Sequence, residues 1–246
     1  MNHTANYNKH GFTTIFQEII NGATSGATTC RLLLVYGGRI WYDYSVSPNL
    51  YWKGLVWCMS NLILASQSPR RKELLQQIQL SFSVMSSQVV ETVAPHLKPH
   101  EVVMELAMKK ANEISRKYPE SYVLGADTVV ALGDSILGKP RSKEEANEML
   151  AMLSGETHEV YTGVAILHGE NQSLFYEKTD VTFWELTSRE IEGYIASEEP
   201  FDKAGAYGIQ GLGAKLVKEI KGDYFSVVGL PLSRVYRALH EMGHLQ

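Results

Sequence analysis

Two adjacent arginines, Arg70 and Arg71, follow a short apolar run at the start of an amphipathic segment. The run ends at Ala65, and Ser68 and Pro69 are residue types preferred at a helix N-cap and at the first helical position. The pattern predicts a strand that leads into a helix whose first turn carries both arginines. Free backbone N–H groups, the helix dipole and two guanidinium groups together favour an anion. This segment therefore indicates a nucleotide or phosphoester ligand.

The arginine pair has two other interpretations. Arg70 and Arg71 could be surface residues that pair with Glu73, although cations at a helix start oppose the dipole. The string SPRR also resembles tails that bind the minor groove of DNA. It occurs here between an apolar strand and an amphipathic helix, and the chain has a formal net charge of -4. A broad nucleic-acid footprint needs a basic surface, so we expect no nucleic-acid partner.

Asp127 stands within the apolar string SYVLGADTVVAL, where a merely solubilising charge would be poorly placed. The sequence predicts a β stretch that is interrupted at Gly125, Asp127 and Thr128. A carboxylate at such a break, beside a phosphate site, can hold Mg²⁺ or position a water molecule for phosphoryl or nucleotidyl transfer. The alternative is a turn aspartate that accepts hydrogen bonds from nearby backbone N–H groups.

Four further polar residues are weaker candidates for the same site. Lys139 lies in the rigid string GKPR, which fixes an ammonium group better than a helix surface does. Lys110 follows Lys109 on a predicted helix face, where an ordinary solvated lysine is the stronger interpretation. Glu91 lies in a loop, where glutamates are usually solvated. Gln210 lies in a glycine-rich string that is not a dinucleotide fingerprint, because no strand-turn-helix unit surrounds it; its amide could face a base edge.

The composition limits the class of protein. Apolar residues make up 44% of the 246 residues and charged residues 20%, as in soluble globular proteins. With two cysteines and no histidine pair at ligand spacing, neither a disulfide framework nor a zinc site is expected. No run approaches 18 apolar residues and no signal-peptide pattern is evident, so we expect a cytoplasmic location and no membrane partner.

Residues 1–58 differ in composition from the rest of the chain. They hold both cysteines and most of the tryptophans but few charged residues, and a regular pattern begins only at Met59. We expect residues 1–58 to be an N-terminal extension, either a misassigned start with Met59 as the true one or a disordered segment, and residues 59–246 to be the functional domain. The alternative is a genuine arm that packs against or binds something.

The remaining pattern alternates strands and helices. After the first helix, we expect a strand over FSVMSSQVVE, a helix over residues 99–116, the β stretch around Asp127, and a helix that ends at Ser154-Gly155. We then expect two strands, at HEVYTGVAILH and SLFYEKTDVTFWEL, and a helix that ends at about Ser197. Two further strands are expected at LVKEI and FSVVG, and a C-terminal helix over residues 231–242. The predicted class is α/β, with a mixed twisted sheet flanked by helices.

Together these strings resemble the Maf family of nucleotide pyrophosphatases. The matching segments, from about residue 61 to the C-terminus, are LASQSPRRKELL, GADTVV, GKPRSKEEA, LSGETHEVYTGVA, TDVTFWELT, FDKAGAYGIQGLGAKLV and GDYFSVVGLPL. The resemblance implies a Maf- and inosine-triphosphatase-like fold with a substrate cleft, a divalent cofactor (Mg²⁺ or Mn²⁺) and a homodimer. It also implies a set of site residues. Asp127 corresponds to the general base, Glu91 and Asp127 to metal neighbours, Ser66, Arg71, Lys110 and Lys139 to phosphate contacts, and Arg70, Thr128 and Gln210 to the substrate-selecting positions.

The combination of Arg70, Thr128 and Gln210 resembles the branch that acts on dTTP and UTP. The resemblance therefore predicts hydrolysis of these nucleotides, and of modified pyrimidine nucleotides, to the monophosphate and pyrophosphate. One alternative is a house-cleaning pyrophosphatase that prefers 7-methyl-GTP. Another is a nucleotide-binding regulator of cell division that has lost catalysis, although a pure binder need not retain Asp127 and Lys139.

Overall fold

The computed structural model describes residues 62–94 and 96–245, together with the backbone of four strands nearer the N-terminus. Those strands, β1 (Asn6–Lys9), β2 (Phe12–Gln17), β3 (Cys30–Tyr36) and β4 (Arg39–Val46), form an antiparallel sheet in chain order. They belong to a compact unit, Met1–Ser60, and the remaining residues form a second unit. The expectation that regular structure begins only at Met59 missed these strands. Met59 as the true start lies outside the described residues and stays a prediction.

A mixed sheet organises the second unit. Its described residues form seven strands. Six of them follow the order β11-β10-β9-β7-β5-β6, and the seventh, β8, pairs with a later part of the same edge of β7 that β5 occupies. Pairing is parallel between β5 and its two neighbours and antiparallel elsewhere. The strands are β5 (Leu62–Leu64), β6 (Ser83–Val84), β7 (Tyr122–Leu132), β8 (Ser135–Leu137), β9 (Thr157–His168), β10 (Asn171–Phe183) and β11 (Val217–Lys221).

Helices cover both faces of this sheet, which confirms the predicted α/β class. The described part of the unit contains α1 (Pro69–Gln77), α2 (Pro99–Ser115), α3 (Lys143–Leu153), α4 (Ser188–Ile195), α5 (Tyr224–Val228) and α6 (Leu232–Glu241). Three 3₁₀ segments cover Glu199–Asp202, Ala204–Ala206 and Gly211–Leu216. Leu124 on β7 packs in one core with α1 and α6, whereas Val123 on the opposite face packs against α2.

Helix α2 lies unusually close to the sheet because two strand residues are glycines. A Cβ atom on Gly125 of β7 would lie 2.4 Å from the carbonyl oxygen of Ala107. A Cβ atom on Gly163 of β9 would lie 2.5 Å from the carbonyl of Val103. Both distances are far below van der Waals contact, so only glycine fits. This approach brings the middle of α2 against the part of β7 that contains Asp127.

Two predicted strands are different in the structure. The strand expected over FSVMSSQVVE is reduced to Ser83–Val84, because the chain then leaves the sheet in a loop that α2 holds. The expected strand FSVVG is instead helix α5, despite its β-branched residues. Asp223 caps this helix by accepting a hydrogen bond from Phe225 N, and Gly229 with φ of 126° ends it. Local capping chemistry overrode strand propensity here.

Candidate active site

A cavity of about 870 Å³ opens where one edge of β7 has no neighbouring strand. Pairing with β5 extends to Leu124, and pairing with β8 begins at Val130, so the edge between them is free among the described strands. Arg71 Nη1 donates a hydrogen bond of 2.9 Å to the carbonyl oxygen of Ala126 on this edge. A guanidinium group thus replaces the missing strand partner and forms the floor of the cavity.

Asp127 and Thr128 are consecutive residues of β7 and therefore point to opposite faces of the sheet. Both line the cavity, because it is open at the free edge of the strand. The sequence placed Asp127 at a strand break or a turn, but β7 runs without interruption from Tyr122 to Leu132. The discontinuity lies in the strand next to Asp127 and not in β7 itself.

Lys110 joins the two predicted acidic residues. Its Nζ atom lies 2.6 Å from Asp127 Oδ1 and 2.6 Å from Glu91 Oε1, and its side chain is only 12% exposed. The interpretation of Lys110 as an ordinary solvated lysine is therefore wrong. Because an ammonium group has three N–H donors, one donor is left beyond these two carboxylates.

The loop that carries Glu91 is fastened to α2. Glu113 Oε2 accepts hydrogen bonds from Ser87 Oγ at 2.8 Å and from Gln88 N at 2.7 Å. Lys109 Nζ donates to the carbonyl oxygen of Thr92 at 2.8 Å. Hydrogen bonds to Lys117 and to Ser87 lower the pKa of Glu113 to about 2, so this anchor is charged at neutral pH. Glu113 and Lys109 of α2 thus position the loop, and Lys110 of the same helix holds Glu91 itself.

Burial is the largest influence on the Asp127 carboxyl and raises its pKa. The charges of Lys110 and Arg71 oppose that effect without cancelling it. For Glu91, burial also acts to raise the pKa, but the hydrogen bond and charge of Lys110 outweigh it, and the pKa is lowered. An unperturbed aspartate has a pKa of about 4. The structure raises the pKa of Asp127 and so makes it a stronger base than an exposed aspartate.

Arg71 is a buried connector of the cavity wall. Besides its bond to Ala126, its Nε donates to the Gly229 carbonyl oxygen at 2.8 Å. Its Nη1 reaches Ser66 Oγ at 3.3 Å and its Nη2 reaches Thr128 Oγ1 at 3.1 Å. Burial removes water from the guanidinium group and thereby lowers the pKa of Arg71. Four bonds therefore engage most of its N–H groups, leaving its charge and one N–H for a ligand.

Arg70 lies at the rim, where its Nη1 forms an ion pair of 2.8 Å with Asp202 Oδ2, a residue 132 positions away. Asp202 Oδ1 also pairs with Lys203 Nζ at 2.6 Å. Asp202 and Lys203 were not predicted for the site, although the string FDKAG contains both. Their adjacent opposite charges just before a glycine-rich segment were the available signal. The ion pair links the start of α1 to the segment that precedes Gln210.

All nine residues predicted for the site line this one cavity: Ser66, Arg70, Arg71, Glu91, Lys110, Asp127, Thr128, Lys139 and Gln210. Lys139 and Gln210 are exposed at its wall, and the charge of Lys139 helps to lower the pKa of Glu91. Counting every lining side chain, six are cationic and four acidic, although the whole chain has a formal charge of -4. The cavity therefore suits an anion with several charges, such as a polyphosphate.

Two carboxylates are available to a divalent cation. Glu91 and Asp127 both contact Lys110 through one oxygen, which leaves the other oxygen of each group. Among the described residues, no group of three or more His, Cys, Asp or Glu side chains forms a metal cage. Mg²⁺ is commonly held by one or two carboxylates together with substrate phosphates and water. The pair fits that mode of binding and not an all-protein site.

Comparison with known proteins identifies the family. The model of the Maf family, described as Maf-like protein, matches residues 61–242. The chain belongs to the Maf family. The dTTP/UTP pyrophosphatase of Bacillus cytotoxicus is 55% identical over 183 residues, which is 74% of this chain and 96% of that protein. The enzyme of the same name from Bacillus cereus is 54% identical over the same shares.

The Maf match begins after the first compact unit and covers nearly all of the second. A solved structure of the Staphylococcus aureus Ham1 protein is 12% identical, with a TM-score of 0.40, and covers 63% of this chain and 79% of that one. Within the described residues, no helix is both long enough and apolar enough to cross a membrane.

Proposed function

We propose that this Maf protein hydrolyses dTTP and UTP to the nucleoside monophosphate and pyrophosphate. The observation that carries the proposal is the cavity in which Lys110 joins Asp127 and Glu91 beneath several cationic side chains. The relatives support the substrate, since the chain covers 96% of the length of proteins named dTTP/UTP pyrophosphatase. The Arg70, Thr128 and Gln210 combination points to the same nucleotides.

The triphosphate binds against the cations. Ser66 is suited to this role because its Oγ accepts hydrogen bonds from Ser68 N and Arg71 Nη1, so its own proton is left to donate. Phosphate oxygens only accept, and a hydroxyl that must donate matches them. Lys139 and the third N–H of Lys110 add donors, while Arg70 and Arg71 supply charge. This distribution places positive charge on several sides of the polyphosphate.

Asp127 acts as the general base. Its raised pKa gives it more affinity for a proton than an exposed aspartate has, while the charge of Lys110 favours its ionised form. It orients a water molecule and takes up its proton as the water oxygen attacks the α-phosphorus. The bond between the α-phosphorus and the bridging oxygen then breaks, and pyrophosphate leaves with the bonding electrons. The products are one monophosphate and one pyrophosphate.

Maf-type pyrophosphatases generally depend on a divalent metal. We propose that Glu91 and Asp127 hold Mg²⁺ or Mn²⁺ through the oxygens that Lys110 leaves available. When bound there, the cation neutralises phosphate charge and makes a nearby water more acidic. The protein's own contribution is to keep the two carboxylates on one side of the phosphates.

Thr128, Gln210 and Arg70 recognise the base. Gln210 supplies an amide that can both donate and accept, which suits the alternating donor and acceptor atoms of a pyrimidine edge. Arg70, held by Asp202, forms the rim between the phosphates and the base. A site that reads a base by hydrogen bonds rejects analogues that leave its buried polar groups unpaired.

The test is pyrophosphate release from dTTP, UTP, CTP, GTP, ATP and 7-methyl-GTP, with Mg²⁺ or Mn²⁺, by the full chain. We expect dTTP and UTP to give the highest kcat/KM, with one monophosphate formed for each pyrophosphate. The Asp127→Asn variant should bind nucleotide without turnover. Release from 7-methyl-GTP alone would favour the house-cleaning alternative, and binding of nucleotides with no release from any would favour the cell-division regulator.

The cytoplasmic location, the homodimer and the domain boundary at residue 59 stay predictions.

A further inference from the structure

A buried threonine lies directly behind Thr128. Thr162 is paired with Thr128 across β7 and β9, and their Oγ1 atoms are 2.8 Å apart. Thr162 is completely buried and is not among the side chains that line the cavity. Its Oγ1 is also 2.7 Å from the carbonyl oxygen of Ser226 in α5. A ligand in the cavity would therefore meet Thr128, while Thr162 could act only through it.

The contacts of Thr162 assign the direction of each hydrogen bond. A carbonyl oxygen cannot donate, so the single hydroxyl proton of Thr162 goes to Ser226. Thr162 then has no proton for Thr128, and Thr128 must donate its own proton to Thr162. Thr128 Oγ1 also accepts a hydrogen bond from Arg71 Nη2 at 3.1 Å. These three contacts together leave Thr128 one free lone pair and no free proton.

This state is opposite to that of Ser66, whose hydroxyl accepts two bonds and keeps its proton. Ser66 can serve a phosphate oxygen, whereas Thr128 cannot, because phosphate oxygens at neutral pH have no proton to give. Only an N–H or O–H group of a ligand satisfies Thr128. Ser66 and Thr128 both accept a hydrogen bond from Arg71, but toward the cavity Ser66 offers a donor and Thr128 an acceptor.

The acceptor of the Thr162 proton is rigidly held. Ser226 Oγ donates to the carbonyl oxygen of Asp223 at 2.8 Å and lies 2.8 Å from Thr179 Oγ1. Both Ser226 and Thr179 are fully buried. Gly229, which follows the same helix, accepts from Arg71 Nε. Helix α5 therefore fixes both ends of the chain of bonds that runs from Arg71 through Thr128 and Thr162.

We propose that Thr162 is a positioning residue that makes Thr128 an obligate acceptor and thereby selects a base with a ring N–H. This inference rests on the proposed function, in which Thr128 faces the base. Uracil and thymine carry a proton on N3, whereas the N3 of cytosine is an unprotonated acceptor at neutral pH. Opposite Thr128, the N3–H of uracil or thymine donates a hydrogen bond to Thr128 Oγ1. The N3 of cytosine instead places its lone pair against the free lone pair of Thr128 Oγ1, and no hydrogen bond forms.

The test compares kcat/KM for UTP and CTP in the full-length protein and in variants. Thr162→Val removes the acceptor for the Thr128 proton, so Thr128 regains freedom to donate. We expect the UTP to CTP ratio to fall roughly three- to tenfold, the scale of one hydrogen bond. Thr162→Ser should retain the wild-type ratio. Thr157→Val is the control, since Thr157 lies on the same strand and pairs through its hydroxyl with Thr182 across β9 and β10 but contacts neither Thr128 nor Ser226; its ratio should be unchanged.

A double-mutant cycle separates this role from general destabilisation. If Thr162 acts through Thr128, Thr128→Val and the Thr128→Val/Thr162→Val double variant should have the same UTP to CTP ratio. An unchanged ratio in folded Thr162→Val, or an additive loss in the double variant, would overturn the inference. If Thr162→Val does not fold, Thr162→Ala enters the same comparison. Failure of the wild type to release pyrophosphate from UTP would instead reject the proposed function, which this design reports separately.

Discussion

Lys110 Nζ lies 2.6 Å from Asp127 Oδ1, and this ion pair is largely shielded from water, with the two side chains 12% and 11% exposed. Burial and charge act in opposite directions on the carboxyl group. Burial favours its protonated form, and the ammonium favours its ionised form. The effect of burial is the larger one, so the pKa of Asp127 is raised although the ammonium limits that rise.

Removal of Lys110 should move the pH dependence of catalysis. In Lys110→Gln, burial of Asp127 is no longer opposed by the nearest cation, so its pKa should rise further. Because the base acts in its ionised form, the acidic limb of the kcat/KM profile should shift to higher pH. The maximum should also fall, since a phosphate donor is lost. The measurement is kcat/KM for UTP between pH 5 and 10.

Lys109→Gln is the control for this profile. Lys109 is the preceding residue of α2, and its partners are Glu105 and the Thr92 carbonyl, not Asp127. The variant should keep the wild-type acidic limb. Equal shifts in both variants, or no shift in Lys110→Gln, would contradict the role of Lys110 in setting the pKa of Asp127.

Adjacent arginines should differ sharply in their contribution to stability. Arg71→Lys cannot reproduce four bonds in a planar fork, and it leaves buried carbonyl groups of Ala126 and Gly229 without this donor. We expect the free energy of unfolding to fall by about 2–4 kcal/mol. Arg70→Lys affects a partly exposed ion pair and should cost less than about 1 kcal/mol. Urea denaturation measures both, and similar losses would refute Arg71 as the connector of the cavity wall.

Arg70 should matter for substrate choice. We expect Arg70→Ala to change the relative kcat/KM for UTP, CTP and GTP more than Arg234→Ala does, since Arg234 pairs with Glu177 outside the cavity. The measurement is the nucleotide panel at fixed Mg²⁺. An unchanged substrate profile in folded Arg70→Ala would remove Arg70 from base selection.

The close approach of α2 to the sheet can be tested at Gly125. A Cβ atom there meets backbone atoms of Ala107 and Ala111, which cannot move aside without displacing the helix. Gly125→Ala should lower the free energy of unfolding by about 1–3 kcal/mol and reduce turnover, because Lys110 moves with α2. Gly193→Ala is the control, since no described atom beyond the backbone of its own helix and its chain neighbours lies within 4 Å of its Cβ position. A Gly125→Ala variant with native stability would contradict this packing.

Glu91 should govern the requirement for metal. Chelation should abolish turnover, and Glu91→Gln should raise the Mg²⁺ concentration needed for half-maximal activity by roughly tenfold or more, as one of two carboxylates is lost. Glu105→Gln, on the exposed part of α2 and paired with Lys109, serves as the control. If the Mg²⁺ titration of Glu91→Gln matches that of Glu105→Gln, Glu91 does not hold the metal.

Local features of the site could be predicted from the sequence. Ser68 accepts from Arg71 N and Pro69 begins α1, as the residue types indicated. Asp127 was identified because a charged residue is unusual within an apolar string. The structure shows that its carboxylate is paired with Lys110. These inferences depend on neighbours in the chain, for which spacing and propensity carry the information. The nine site residues were found in this way together with the family resemblance.

Contacts between distant segments could not be predicted. Nothing near Lys110 in the sequence signals that it lies between two carboxylates, because Gly125 and Gly163 bring α2 close enough only in the folded sheet. The pairing of Arg70 with Asp202 spans 132 positions. The raised pKa of Asp127 likewise results from burial that several elements create together. Tertiary packing decides these properties, and one sequence does not report it.

Hydrolysis of UTP in H₂¹⁸O tests the central claim most directly, because it reports which phosphorus the water attacks. The account predicts one ¹⁸O atom in the phosphate of each UMP and none in pyrophosphate, as measured by mass spectrometry, and no labelled product with Asp127→Asn. Label in the pyrophosphate, or release of orthophosphate in place of pyrophosphate, would contradict attack at the α-phosphorus and with it the assigned reaction.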